Sequence, residues 1–233
     1  MGNKIPRTLG VLGGMGPLAT VDFLNKLTQA TTATHDQDHI PMVVHFCPQI
    51  PDRSDALAAQ GPSPLPSMIA AARQIERSGA QALVIPCNTA HAWYEELSAS
   101  LGIPLLHIVD AAVAQIPPEL RREPVGLLAT RGTLASGVYT LRQPGLNWVQ
   151  PLEQEMSDWV MPAIRALKSG DMEGARRLLQ SAIESLQRRG ARSIMLGCTE
   201  LPLARAGDAH DVPLIDATQA LALSAIRWAL ARE

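Results

Sequence analysis

Aromatic side chains are scarce in this chain, which has two Phe, two Tyr and four Trp among 233 residues. Proteins that bind single-stranded nucleic acid stack the bases on aromatic rings, and this composition does not favour that class. An excess of positive charge is also missing, because 20 Lys and Arg stand against 22 Asp and Glu, for a net charge of −2. Without a basic excess or a block of like charge, we expect no nucleic-acid partner.

Long apolar runs and a disulfide framework are missing as well. No run approaches the roughly 20 residues of a membrane-spanning helix. The first eight residues lead into a glycine-rich segment instead of a signal-peptide cleavage site. The three cysteines, Cys47, Cys87 and Cys198, are odd in number and form no C-x-x-C pair. We therefore expect a cytoplasmic protein with reduced thiols and no membrane partner.

Two of these cysteines lie in matching stretches, residues 79–90 (GAQALVIPCNTA) and 190–201 (GARSIMLGCTEL). In each stretch an apolar run leads to a small turn residue, the cysteine and a nearby threonine, which predicts a strand, a turn and the start of a helix. At a helix start, unpaired N–H groups and the helix dipole favour a thiolate. One such cysteine is commonly an inert buried residue. Two in matching contexts indicate that the thiols work as a pair.

The order of sequence features repeats along the chain. Residues 125–136 echo residues 9–20, Cys198 echoes Cys87, and residues 212–215 echo residues 103–106, all in the same order. Such echoes are typical of an internal duplication. Strands alternate with helices in both halves, which predicts parallel sheets packed between helices.

We therefore predict an α/β fold with two pseudo-symmetric domains. The first comprises residues 1–116 and 213–233, where the C-terminal helix returns to it, and the second comprises residues 117–212, beginning at the Pro117-Pro118 pair. Ligands of open parallel sheets bind at the carboxyl ends of the strands, so the active site is expected in the cleft between the domains. Residues 88–100 and 152–168 predict helices, residues 105–108 a strand, and the segment 48–66 a long functional loop.

Two thiols on opposite sides of one carbon suit an inversion of configuration. One thiolate removes the proton, and the other thiol delivers a proton from the opposite face. The carbanion needs N–H and hydroxyl donors at its carboxylate oxygen, and Asn88, Thr89, Thr199 and the loop at Met15 and Gly16 are suitably positioned at strand ends. No lysine context indicates a pyridoxal Schiff base, and no His/Cys spacing indicates a metal site. We therefore expect no cofactor and no metal.

Four motifs span nearly the whole chain: residues 12–20 (LGGMGPLAT), 50–53 (IPDR), 87–91 (CNTAH) and 197–201 (GCTEL). Through them the sequence resembles the aspartate/glutamate racemase superfamily, especially its cofactor-independent aspartate racemases and broad-specificity amino-acid racemases. The resemblance implies that Cys87 and Cys198 are the two catalytic bases. The substrate-binding residues that it implies are Met15, Gly16, Arg53, Asn88, Thr89, Ala90, Lys168, Thr199 and Glu200.

The resemblance thus implies an isomerase, an amino-acid racemase that acts on aspartate or a similar acidic amino acid and forms a homodimer. Arg53 and Lys168 would meet a side-chain carboxylate. The segment 139–154 departs from the family pattern near the expected side-chain pocket, so the general reaction follows from the resemblance more directly than the choice of aspartate. A hydantoin racemase, a maleate isomerase-like enzyme on the same fold and an amino-acid-binding protein without catalysis stay open.

Other interpretations exist for several of these residues. Residues 14–19 also match a dinucleotide-binding pattern, but no acidic residue ends the second strand. His91 lies one helical turn from Cys87, so acyl transfer by a Cys/His pair stays open. Arg53 and Lys168 could be solvated charges, and Glu200 could interact with the dipole of a helix start.

Overall fold

A computed structural model describes residues 6–204 and 211–231. The predicted domains also include residues 1–5, 205–210 and 232–233, which lie outside the described residues. Within the described residues, seven strands form two sheets: β1 (Leu9–Gly13), β2 (Met42–Phe46), β3 (Ala82–Val84), β4 (Val125–Leu128), β5 (Trp148–Val149), β6 (Ser193–Leu196) and β7 (Leu214–Asp216). The first sheet has the order β2-β1-β3, and the second has the order β5-β4-β6-β7. All the pairings between these strands are parallel, as the alternation of strands and helices predicts.

The two sheets repeat the same register around the cysteines. Leu83 pairs with Leu105 in the first half, and Ile194 pairs with Leu214 in the second. The N–H of Leu83 donates to the carbonyl of Pro104 at 2.8 Å, and the N–H of Ile194 donates to the carbonyl of Pro213 at 2.9 Å. The sequence echo between residues 103–106 and 212–215 is therefore also an echo in strand pairing. In the first half, however, the predicted strand over 105–108 is reduced to a single bridge at Leu105.

Helices flank both sheets. In chain order they are α1 (Pro17–Ala30), α2 (Arg53–Leu57), α3 (Leu65–Arg77), α4 (Tyr94–Ala99), α5 (Ile108–Val113), α6 (Arg131–Ala135), α7 (Glu153–Glu155), α8 (Met161–Ser169), α9 (Met172–Arg188) and α10 (Ala217–Leu230). Shorter 3₁₀ segments lie at Asp36–Asp38, Thr89–Trp93, Pro118–Leu120 and Leu201–Ala204, and a π-helical turn at Met156–Val160 joins α7 to α8. None of the helices in the described ranges is long and apolar enough to cross a membrane.

Helix α2 lies in the segment 48–66, where the sequence predicts only a loop. The carboxylate of Asp52 caps this helix by accepting the N–H groups of Ser54 and Asp55 at 2.8 and 3.1 Å. Five residues are too few for a hydrophobic period to show, which is why the pattern does not reveal the helix. Helix α2 packs closely on α6 of the second half, since a Cβ on Gly132 would lie 2.9 Å from Ser54 Oγ.

The C-terminal helix joins the two halves. Buried residues of β1, β4 and α10, among them Val11, Leu127 and Leu221, belong to one continuous apolar cluster. Helix α10 packs on α1 and α5 of the first half. Strand β7, which the sequence assigns to the first domain, instead pairs with β6 in the second sheet. We therefore propose a division in which only α10 returns to the first domain.

Candidate active site

Cys87 and Cys198 occupy corresponding positions just beyond the carboxyl ends of β3 and β6. Both side chains are buried, with 6% and 4% of their surface exposed. Both line a single cavity of about 30 Å³ between the two halves, together with Met15, Asn88 and Thr199. This volume holds one or two water molecules. Folding therefore brings the two thiols, which are far apart in the sequence, to one small cavity.

The backbone after each cysteine differs from the predicted helix start. Thr89–Trp93 and Leu201–Ala204 are single 3₁₀ segments, not α-helices. Burial raises the pKa of Cys87, while the charge and hydrogen bonding of the Arg53 guanidinium and the N–H of Ala90 act in the opposite direction. The expectation that helix dipoles lower the pKa of these thiols is therefore wrong for this structure, because the helical segments are short and desolvation dominates.

A carboxylate is in direct contact with the second thiol. Cys198 Sγ donates to Oε2 of Glu200 at 3.1 Å, and the hydroxyl of Thr199 lies 3.4 Å from the same oxygen. Burial raises the pKa of Cys198 well above its usual value, the charge and hydrogen bond of Glu200 raise it further, and Lys168 opposes them. The charge of Glu200 raises the pKa of both thiols, but only Cys198 donates a hydrogen bond to it, whereas Arg53 lowers the pKa of Cys87 by its charge and a hydrogen bond.

The side chain of Asn88 is held by a residue from the other half. Tyr139, buried in the core, donates its hydroxyl to Oδ1 of Asn88 at 2.6 Å. Nδ2 of Asn88 is buried and has no hydrogen-bond partner in the described part of the chain. Because the carbonyl oxygen is occupied by the tyrosine, the amide offers an N–H donor to a ligand. Tyr139 lies in the segment that departs from the family pattern, and the sequence analysis did not identify it.

Three threonine hydroxyls connect the halves beside this amide. Oγ1 of Thr89 lies 3.0 Å from Oγ1 of Thr130 and 2.8 Å from Oγ1 of Thr133, and the latter two are 3.0 Å apart. Thr130 also caps α6 by accepting the N–H of Thr133 at 3.1 Å. Sequence reasoning missed both residues of the second half. The echo of residues 9–20 by residues 125–136 was the signal that could have identified them.

A second, larger cavity of about 390 Å³ adjoins the small one. Four charged residues line both cavities: Asp52, Arg53, Lys168 and Glu200. Nη1 of Arg53 donates to the carbonyls of Ile50 and Pro51 at 3.1 and 3.0 Å, so part of this guanidinium is already bound to the loop. Arg53 and Lys168, predicted as substrate contacts, therefore lie where the two cavities meet.

The remaining predicted site residues have different positions. Gly16 lines the larger cavity, and a Cβ at this position would lie 2.9 Å from Oε1 of Glu200, so a glycine allows the carboxylate to approach. Thr89 lines the small cavity. Ala90 lines neither cavity, and it is buried while its backbone N–H contacts Cys87.

His91 is bonded to the backbone, not to a thiol. The N–H of Ile108 donates to Nε2 at 3.3 Å, so Nδ1 carries the proton and donates to the carbonyl of Cys87 at 2.9 Å. Burial lowers the pKa of His91 to about 4, which keeps the ring neutral. The geometry therefore does not support acyl transfer by a Cys87–His91 pair.

The glycine-rich loop after β1 is explained by packing. Gly14 has a φ of +95°, and a Cβ there would lie 2.5 Å from the backbone of Cys47. The close approach of the Cys47 backbone explains why residue 14 is a glycine. This glycine of the dinucleotide-binding pattern therefore needs no bound ligand to account for its presence. Within residues 6–204 and 211–231, no three His, Cys, Asp or Glu side chains are grouped to hold a metal ion.

The chain thus has two α/β halves, and one thiol from each half lines the cavity between them. The sequence model of the Asp/Glu/hydantoin racemase family matches residues 12–225. The chain belongs to this family, whose racemases are isomerases. It is similar to the broad-specificity amino-acid racemase RacX of Bacillus subtilis, with 29% identity over 96% of this chain and 98% of that protein.

Solved structures agree with this assignment. The aspartate racemase of Picrophilus torridus has a TM-score of 0.85 and 33% identity, covering 97% of this chain and 95% of its own. Glutamate racemase of Francisella tularensis, solved with D-glutamate, has a TM-score of 0.68 and 17% identity, covering 94% of this chain and 79% of its own. The second similarity concerns the fold alone.

Proposed function

We propose that this chain is a cofactor-independent amino-acid racemase in which Cys87 and Cys198 move the Cα proton. The observation that carries the proposal is the single small cavity that both thiols line. A base and an acid on opposite faces of Cα are what an inversion requires. Because both groups are thiols, the same site can serve either enantiomer.

The charges beside the thiols suggest how a turnover begins. Burial raises the pKa of both thiols, but Arg53 opposes this shift at Cys87 and the hydrogen bond to Glu200 adds to it at Cys198, so Cys87 is the thiol that loses its proton more readily. In this direction the Cys87 thiolate takes the Cα proton, and the Cys198 thiol gives its proton to the opposite face of the carbanion. Cys87 ends as the thiol and Cys198 as the thiolate, so the reverse reaction or proton exchange with solvent restores the starting state.

The donors in the small cavity suit the carboxylate of an amino acid. Nδ2 of Asn88 is buried without a partner, and the hydroxyls of Thr89 and Thr199 line the same space. These groups would stabilise the negative charge that develops on the carboxylate as the proton leaves. Met15 lines the same cavity, and Gly16 lines the adjoining one.

Aspartate or a similar acidic amino acid is the substrate that we propose to test first. Lys168 and Arg53 lie where the cavities meet and carry the positive charge that a side-chain carboxylate requires. Aspartate racemase activity belongs to the Picrophilus relative and broad specificity to the Bacillus relative.

The test uses L-aspartate in heavy water with the purified protein. Racemisation through a carbanion replaces the Cα hydrogen by deuterium in the product, which mass spectrometry and chiral chromatography detect together. Cys87→Ser and Cys198→Ser should each abolish inversion, because serine is a far weaker acid than cysteine. Cys47→Ser is the matched control, since Cys47 lines neither cavity, and it should keep its activity.

Near-normal turnover in both active-site variants would exclude the two-thiol mechanism. If the wild-type protein inverts no proteinogenic amino acid but inverts a 5-substituted hydantoin, the site is that of a hydantoin racemase. Calorimetric binding of an amino acid without any change in optical rotation would indicate a binding protein.

Homodimer formation is part of the proposal. Four large apolar side chains are exposed on α1 and the edge strand β2: Leu18, Val21, Val44 and Phe46. Apolar surface of this kind is typical of contacts between subunits. Light scattering on the eluted protein tests the oligomeric state, and a monomer at micromolar concentration would contradict the proposed homodimer.

All three cysteines are unpaired, which supports a reducing, cytoplasmic location.

A further inference from the structure

We infer that the 390 Å³ cavity is a side-chain subsite whose apolar outer wall lets the enzyme accept long apolar side chains such as that of methionine. This inference rests on the proposed racemase function. It deepens that function by naming a substrate class beyond acidic amino acids.

The inference begins with the division between the two cavities. The small cavity at the thiols holds one or two waters, so it can receive the reacting end of a substrate but not a long side chain. The adjoining cavity has about 390 Å³, which is within the range of cavities that bind small molecules. A substrate with Cα between the thiols must therefore extend its side chain into the larger cavity.

Among the described residues, charge lies at the boundary between the cavities. The four charged residues that line the larger cavity in this part of the chain also line the small one. Beyond them the described wall consists of glycine and apolar residues: Gly14, Gly16, Pro17, Leu18, Pro48, Ile50 and Leu167. A short acidic side chain would reach the charged boundary and leave this outer wall without a contact.

Most of the boundary charges already have protein partners. Asp52 caps α2, Arg53 binds two backbone carbonyls, and Glu200 accepts the thiol of Cys198. Within the described part of the chain, the ammonium group of Lys168 forms no hydrogen bond or ion pair, and it interacts with Asp52 and Cys198 only through its charge. Because both cations lie at the boundary and the described outer wall is apolar, contacts beyond the boundary favour methylene, thioether and methyl groups.

Leu18 is the residue that tests the outer wall. It lies in the first turn of α1, is 54% exposed and lines the larger cavity. Val21 lies one turn further along the same helix and is 56% exposed, but it does not line the cavity. An acidic substitution is tolerated near the start of a helix, so both variants are expected to fold. An aspartate at Val21 therefore controls for any effect that an aspartate at Leu18 has on a dimer or on the helix.

The experiment measures kcat/KM for racemisation of L-alanine, L-aspartate and L-methionine by chiral chromatography. Alanine has no atoms that reach the outer wall, whereas each buried methylene-sized group should raise kcat/KM about three- to fourfold. We expect methionine to exceed alanine by at least about tenfold. Leu18→Asp should lower the methionine-to-alanine ratio by about tenfold, and Val21→Asp should leave that ratio unchanged.

The outcomes separate the inference from the function on which it rests. If alanine or aspartate is racemised but methionine is no better than alanine, the racemase proposal stands and the apolar subsite is refuted. Equal loss of the ratio in both variants would also refute the subsite, because the effect would then belong to the helix surface. If no amino acid is racemised, the proposed function fails and the subsite fails with it.

Discussion

The contact between Glu200 and Cys198 gives a prediction whose size follows from the geometry. Oε2 of Glu200 accepts the thiol at 3.1 Å, and both side chains are more than nine-tenths buried. Glu200→Gln keeps the shape and an acceptor oxygen but removes the negative charge. Burial is the larger cause of the raised pKa of Cys198, and it persists in the variant, while the charge and the charge-assisted bond are lost.

The expected effect is an increase in the thiolate population of Cys198. A hydrogen bond to a charged group contributes roughly 1.5–3 kcal/mol and one to a neutral oxygen roughly 0.5–1.5 kcal/mol, so the variant loses about 1 kcal/mol of stabilisation of the thiol. The pKa of Cys198 should therefore fall in the variant. At a pH below that pKa, its alkylation rate should rise about fivefold, because the thiolate is the nucleophile and about 1.4 kcal/mol corresponds to a factor of ten.

The assay alkylates the protein with iodoacetamide at pH 7 to 9 and quantifies each cysteine peptide by mass spectrometry. Cys47 serves as an internal standard, because its pKa is raised by burial alone. Glu173→Gln removes a carboxylate that is 80% exposed and should change nothing. An unchanged or slower reaction at Cys198 in Glu200→Gln would refute the view that this carboxylate holds the thiol in its protonated form.

Two further predictions concern stability and the contact between the halves. Gly132→Ala should lower the free energy of unfolding by about 1–3 kcal/mol and reduce turnover, because its Cβ would lie 2.9 Å from Ser54 Oγ and 3.0 Å from Ser54 Cα. Gly145→Ala, where no atom lies within 4 Å of the new Cβ, is the matched control in urea unfolding, and equal losses would contradict the reasoning. Acid should destabilise the protein through His91, whose pKa falls from 6.5 to about 4 on burial. The unfolded chain then binds a proton that the folded chain does not, so the free energy of unfolding should fall by about 2 kcal/mol between pH 6.5 and 5; a flat profile over this interval would count against a buried neutral ring.

The sequence gives little warning of the elements that depend on contacts between distant residues. Helix α2 is five residues long and is recognisable by the cap at Asp52 more than by any apolar period. Strand β7 lies in the second sheet because Leu214 pairs with Ile194, although its helix packs on the first half. The partner of Asn88 is Tyr139, fifty-one positions away, and that tyrosine begins the segment 139–154, which departs from the family pattern.

The positions of the thiols, by contrast, were predictable. Cys87 and Cys198 each follow an apolar run and a turn residue, and local patterns of this kind determine where a strand ends. The repeated order of motifs indicates a duplication, and in a parallel sheet the carboxyl ends of strands meet at one edge. These two facts place each cysteine at the carboxyl edge of its own sheet, and the packing of the two halves then brings both edges to one cavity.

The sequence by itself therefore determined the α/β class, the duplicated order of strands and the position of each cysteine after its strand, since these depend on patterns within short segments. Only the tertiary structure decided the protonation of the thiols, because desolvation and the unlike neighbours Arg53 and Glu200 come from packing across the two halves. It also decided the size and polarity of the space beyond them, since an apolar wall built from loops and helices far apart in the chain has no signature in any one segment.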